Sequence, residues 1–165
     1  MKPGNKTFLM ICFVMQSQLL AHCQIPCGIY DDALRIVQLR EDFRTIEKAM
    51  NQIKLQQGST NPQDLNQSIR WVQTKEEHAA RIQETVSTYF LIQRIKAKTA
   101  EDENAYNAYA QQTTNLHQLM VTAMKCKQTV DDDHVQIGLK LLDNFVNLYF
   151  DKHGQEHLKA ITDTL

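Results

Sequence analysis

The sequence predicts an all-α fold: an antiparallel four-helix bundle (residues 31–165) behind a short N-terminal hook (residues 22–30). Three observations lead there. Glycine and proline number only 5 and 3 in 165 residues, and they cluster at a few breaks. Between the breaks, apolar residues recur at the three- and four-residue spacing of one helix face. No segment shows strand-like alternation or a hairpin turn. Amphipathic segments of this kind bury their apolar faces on one another, and short loops between them favour antiparallel neighbours.

Residues 1–21 read as a leader. Lys2 and Lys6 give a positive start, and no acidic residue occurs before Asp31. Phe8 to Met15 form an apolar block far short of the ~20 residues a membrane-spanning helix needs. Gln16-Ser17-Gln18 breaks the run, and Ala21 is a small residue suited to precede a cut. The expectation is a secretory signal, cleaved between Ala21 and His22, that exports the chain to the periplasm or the extracellular space and leaves no membrane anchor. The competing reading is a buried apolar N-terminal element. The remaining chain suffices for one domain. With 18 basic and 19 acidic residues, nucleic acid is not an expected partner. Of four cysteines, Cys12 leaves with the leader while Cys23, Cys27 and Cys126 remain. Three is an odd number, so a disulfide scaffold is disfavoured, and metal ligation or a reactive thiol comes forward.

The helices follow in order. The first, over 32–57, carries Ile36, Leu39, Phe43, Ile46, Met50 and Ile53 on one face. Gly58-Ser59-Thr60-Asn61-Pro62 breaks the chain, with Pro62 suited to the first position of the next helix. The second, over 63–98, carries Leu65, Ile69, Val72, Ala79, Ile82, Val86 and Phe90, with Tyr89 beside them. The third, over 103–128, carries Tyr109, Leu116, Leu119, Met120, Ala123 and Met124. Asp131-Asp132-Asp133 supplies a solvated N-terminal cap for the fourth, over 133–152, with Val135, Leu139, Leu142, Phe145, Val146 and Tyr149. Residues 155–165 are expected to fray. Trp71 is assigned to the core or to a subunit interface, Cys126 to a buried inert thiol, and His117 to a structural role.

The chemistry concentrates in His22-Cys23-Gln24-Ile25-Pro26-Cys27-Gly28-Ile29-Tyr30. A cut before His22 would free its amine. That amine and the Cys23 amide nitrogen can chelate one metal in a five-membered ring, and the Cys23 sulfur closes a second. Cys27 returns through a turn that Pro26 pre-bends, and Gly28 lets the backbone leave without a Cβ clash. Two nitrogens and two thiolates in a plane suit nickel(II) or copper(II). The His22 imidazole is left for an axial position. Thiolates and an anionic amide also stabilise the oxidised metal, so one-electron cycling against superoxide becomes accessible. Two other readings remain open on spacing alone: a local Cys23–Cys27 disulfide, and half of a zinc site.

His-Cys-x-x-Pro-Cys-Gly-x-Tyr resembles the metal-binding hook of nickel-containing superoxide dismutases. The likeness continues through Asp31, Ile46-Glu47-Lys48-Ala49-Met50, Lys75-Glu76-Glu77-His78-Ala79, Tyr89-Phe90 and Leu116-His117-Gln118-Leu119, more weakly than in the hook. The resemblance implies that His22 gives its amine and its axial imidazole, Cys23 its amide and thiolate, and Cys27 its thiolate. Tyr30 would stand over the open face without ligating the metal, and Tyr89 would partner its hydroxyl. It further implies one nickel ion per subunit and a homohexamer of four-helix bundles. Gln24 departs from the aspartate that often follows the first cysteine. A glutamate and an arginine that support the axial imidazole in better-known members have Val37 or Gln38, and His78, at the corresponding positions. The function expected is disproportionation of superoxide to dioxygen and hydrogen peroxide. The alternative is an exported nickel- or copper-binding bundle without efficient turnover.

Overall fold

A computed structural model describes residues 31–164. It contains five α-helices: α1 (Asp32–Leu55), α2 (Pro62–Glu84), α3 (Glu103–Gln128), α4 (Asp133–Tyr149) and α5 (Lys152–Thr162). Thr85–Arg94 continues α2 as a π-helical segment. No strand occurs among the described residues. The four long helices pack in sequence order, with α1 also against α4, and their inner faces form one core.

Local chemistry sets the helix starts. Asp31 Oδ1 accepts the amides of Ala33 and Leu34 at 2.8 and 3.2 Å, which satisfies donors that the first turn of α1 leaves without partners. Gly58 takes φ +79°, a conformation that L side chains rarely adopt, and lets the chain reverse after α1. Asn61 then caps α2 through the Gln63 amide at 2.9 Å, and Pro62 occupies the first helical position as expected. In the aspartate triplet, Asp131 accepts the Asp133 amide at 3.0 Å. Asp132 reaches instead across to Lys54 at 2.6 Å.

The predicted core residues of α1 are the best borne out: Ile36, Leu39, Phe43, Ile46 and Met50 are fully buried. Phe43 is admitted by Gly138 on α4, where an added Cβ would lie 2.2 Å from a Phe43 ring carbon. Gly138→Ala should therefore overpack this crossing and lower unfolding stability by about 1–3 kcal/mol, measured by chemical denaturation. Ile53 is only half-buried. On α2 the inward face begins late: Ala79, Ile82, Val86 and Phe90 are buried, whereas Leu65, Ile69 and Val72 are exposed and Trp71 is half-buried. Lys75, also on α2, is buried and donates to the carbonyls of Cys126 (2.9 Å) and Lys127 in the last turn of α3. On α3, Leu116, Leu119 and Ala123 are buried while Met124 is exposed.

Two features differ from the expected architecture. The π-helical segment admits an extra residue per turn, with the Ile95 amide bonding the Phe90 carbonyl five residues back at 2.9 Å. The wider turn lets adjacent Tyr89 and Phe90 both face inward. Phe90 meets Phe145 edge-on at 5.1 Å and Tyr149 at 5.8 Å. The second difference is α5, formed where fraying was expected. Asp151 caps it through the Gly154 amide at 2.8 Å, and Leu158 is buried against the bundle.

The same Asp31 that caps α1 holds α5. Its Oδ2 lies 2.6 Å from His157 Nε2. Burial pushes the Asp31 carboxyl upward, but the His157 hydrogen bond and the Leu34 and Ala33 amides outweigh it and hold it below its usual 3.8. A lowered folded-state value adds stability above pH ~3.8 that disappears as pH falls through the folded value. Asp31→Asn should accordingly flatten the loss of stability between pH 5 and 3, read from thermal unfolding at each pH.

Candidate metal centre and its helical support

His22, Cys23, Cys27 and Tyr30, the expected ligands and their companion tyrosine, lie outside the described residues. What the structure describes is the body that begins at Asp31, immediately after them. Among the described residues no group of three or more His, Cys, Asp and Glu side chains is placed to hold a metal. Cys126 is fully buried as a free thiol, and burial pushes its pKa up to about 11, so it stays protonated and unsuited to ligation. His117 is exposed on α3.

A polar cluster is built at the first turn of α1. Asp32 Oδ1 accepts both the Tyr89 hydroxyl and Arg94 Nε, the latter at 2.7 Å. Asp32 Oδ2 accepts the Tyr149 hydroxyl at 2.7 Å. Arg94 also donates from Nη2 to the Tyr89 oxygen at 2.7 Å. Its guanidinium carbon lies 4.8 Å from the Tyr89 ring centre, and that of Arg35 lies at 5.5 Å. Two elements thus converge on one carboxylate of α1: the π-helical segment gives Tyr89 and Arg94, and α4 gives Tyr149. Burial first, and then the bond to Asp32, push the Tyr89 phenol up to about 12, against the opposing pull of Arg94. Tyr149 is raised for the same first two reasons. Both phenols stay protonated at neutral pH.

A second cluster lies further along the α1–α2 contact. Asp42, its side chain 4 % exposed, accepts from Arg81 at 3.2 Å and meets His78 Nδ1 at 2.6 Å. Burial raises the Asp42 pKa, and the His78 hydrogen bond and Arg81 charge offset that only in part. The groove between the clusters, about 320 Å³, is lined by Arg35, Gln38, Asp42 and Arg81 among others. A larger groove of about 550 Å³ between α3 and α4 is lined by amides, including Gln111, Asn115 and Asn144, and by no ionisable side chain.

The residues at the positions of the family's glutamate and arginine are accounted for. Gln38 accepts from Arg35 at 2.7 Å, Val37 packs half-buried on the core, and His78 is engaged by Asp42. A carboxylate–arginine pair does exist on this helix pair, as Asp42 with Arg81. Sequence reasoning named Tyr89 as a companion of Tyr30 and Tyr149 as a core residue of the fourth helix, and it did not single out Asp32, Asp42, Arg81 or Arg94. Asp42 had a visible signal, since it sits beside Phe43 inside the apolar spacing of α1. The Asp32 contacts span 57, 62 and 117 residues of sequence, beyond the reach of local pattern.

The family model for nickel-containing superoxide dismutase matches residues 17–153, a span that takes in His22–Tyr30 and all four long helices. No curated protein and no solved structure matches the chain. The matched span covers most of the sequence, and the helical bundle agrees with it: the chain belongs to the nickel-containing superoxide dismutase family.

Proposed function

We propose that the centre of this enzyme is built from a processed N-terminus, with His22, Cys23 and Cys27 as ligands and with Tyr30 and Tyr89 beside it. Family membership gives the activity, disproportionation of superoxide, and the nickel cofactor. The observation that carries the residue assignment is the fixing of Tyr89 on Asp32, two positions beyond Tyr30. It sets Tyr89 against the first turn of α1, which supports the reading of Tyr89 as a companion of Tyr30.

Nickel supplies one-electron cycling, so that one superoxide is oxidised and the next is reduced. The residues do the rest. The His22 amine and imidazole, the Cys23 amide and the Cys23 and Cys27 thiolates would hold the metal. Tyr30 would order water or superoxide beside the metal, and Tyr89 would steady Tyr30. Formation of peroxide consumes two protons, for which ordered water at Tyr30 and a protonated cysteine thiol are the nearby sources.

Cleavage after Ala21 would make export and activation one event, because the cut creates the amine ligand. Assembly as a homohexamer is supported by the stripe Leu65, Ile69 and Val72 on α2, which is exposed among the described residues and would be buried at a subunit contact. Mass spectrometry of the protein recovered from its exporting cell is the direct test. The expected mature chain starts at His22, carries one nickel per subunit, and elutes at six times the subunit mass. A chain starting elsewhere removes the amine ligand and overturns the centre as drawn.

A further inference from the structure

Asn115 occupies a position of α3 that the helix otherwise gives to the core. With Leu119, Thr122 and Cys126 it follows the four-three-four spacing of the buried face. It is 7 % exposed, yet its Oδ1 is buried and accepts no hydrogen bond among the described residues. The other buried charged or amide side chains are engaged. Asp42 meets His78 and Arg81, Lys75 donates to two carbonyls, and Gln93 Nε2 donates to the Thr88 carbonyl at 3.0 Å. An unmet buried acceptor costs free energy that a leucine at the same position would not. Packing therefore gives no reason for an amide at 115, whereas the groove it lines does.

That groove, about 550 Å³ between α3 and α4, falls within the size range of small-molecule sites. Five primary amides line it: Gln111, Asn115 and Gln118 from α3, and Asn144 and Asn147 from α4. Gln112 ties its two walls together by donating to the Leu148 carbonyl at 2.8 Å. No ionisable side chain lines it, and Asp143, beside Asn144, pairs instead with Arg40 of α1 at 2.7 Å. A charge placed there would lose hydration with nothing to compensate, so the groove selects a neutral molecule. A primary amide offers an acceptor and donors side by side in one plane. Its complement is a planar edge with a donor next to an acceptor, as a nucleobase presents to asparagine or glutamine. Turning the Asn115 amide over exchanges the deeper atom but keeps the same complement. Ala110 and Leu148 add apolar surface for the face of a ring. We propose that the α3–α4 groove binds a neutral nucleobase-type heterocycle, held at its donor–acceptor edge by Asn115. The site uses none of the residues assigned to superoxide chemistry.

The experiment is calorimetric titration of the nickel-loaded protein with adenosine, uridine and adenosine monophosphate. Adenosine or uridine should bind with a Kd of roughly 1 mM or tighter. Adenosine monophosphate should bind more weakly than adenosine, because its phosphate meets no cation in the groove. A nucleotide that binds more tightly would overturn the selection for a neutral ligand. Asn115→Leu, close in volume, should raise Kd roughly tenfold by removing the deep half of the edge contact. Asn144→Ala changes an exposed residue and should weaken binding severalfold. It decides the matter if Asn115→Leu does not fold. Absence of binding by both nucleosides at about 10 mM would overturn the site and leave Asn115 to a water molecule. Affinities unchanged in both variants would overturn it equally. So would an Asn144→Arg protein that falls apart into smaller species, because the groove would then be a contact between subunits.

Discussion

Cys23→Ser or Cys27→Ser will reduce superoxide turnover to the uncatalysed rate while leaving the helical content of the chain intact. The reason lies in the donor atom. A thiol ionises near pH 8.5 and lower beside a metal, and its polarisable sulfur pushes charge onto nickel. A serine hydroxyl stays protonated at that pH and presents a hard oxygen, which disfavours the oxidised metal. No described core residue changes, so far-ultraviolet circular dichroism should match wild type. Metal analysis and a superoxide assay on the same preparation complete the test. A serine variant that retains nickel and turns over superoxide at the wild-type rate would remove that cysteine from the ligand set.

The largest effect on stability is expected at Lys75. Its ammonium sits 4 % exposed at the carboxyl end of α3, where helix carbonyls have no partners within the helix and the dipole is negative. It donates to two of those carbonyls and to Glu76 at 2.8 Å. Lys75→Met keeps the length and the apolar stem but leaves the Cys126 and Lys127 carbonyls without that donor. Hydrogen bonds involving a charged group contribute about 1.5–3 kcal/mol each. Glu76 is 43 % exposed and recovers its solvation in water, so it adds little. The net loss should be about 3 kcal/mol, or roughly 10 °C in Tm for a chain of this size. Differential scanning calorimetry reads it, and a change under 1 kcal/mol would mean that water replaces the ammonium.

The legibility of the fold follows from how local each determinant is. Ile36, Leu39, Phe43 and Ile46 could be read because a helix face is a local pattern, and α1 is covered along most of its length. Leu65, Ile69 and Val72 carry the same pattern yet are exposed, because spacing says that a stripe exists and not what covers it. The π-helical segment left no mark, since Ile82, Val86 and Phe90 keep an α-helical spacing while the backbone widens beneath them. For α5, charged residues around Leu158 concealed a helix that one buried leucine and one shared carboxylate suffice to dock. The proposed donors His22, Cys23 and Cys27 fall within six residues of sequence, so a local motif suffices to suggest them. Asp32, Arg94 and Tyr149 could not be linked that way, because folding alone brings them together.

The division of Asp31 between two helices has a practical side. One oxygen of that carboxylate begins α1 and the other fastens α5, so the residue following the hook is tied to the carboxyl-terminal helix. Affinity tags and fusion partners are commonly appended at a carboxyl terminus on the assumption that it is remote from an N-terminal active site. In this chain α5 is not independent of the start of α1: anything that levers α5 outward pulls on Asp31, the residue next to Tyr30.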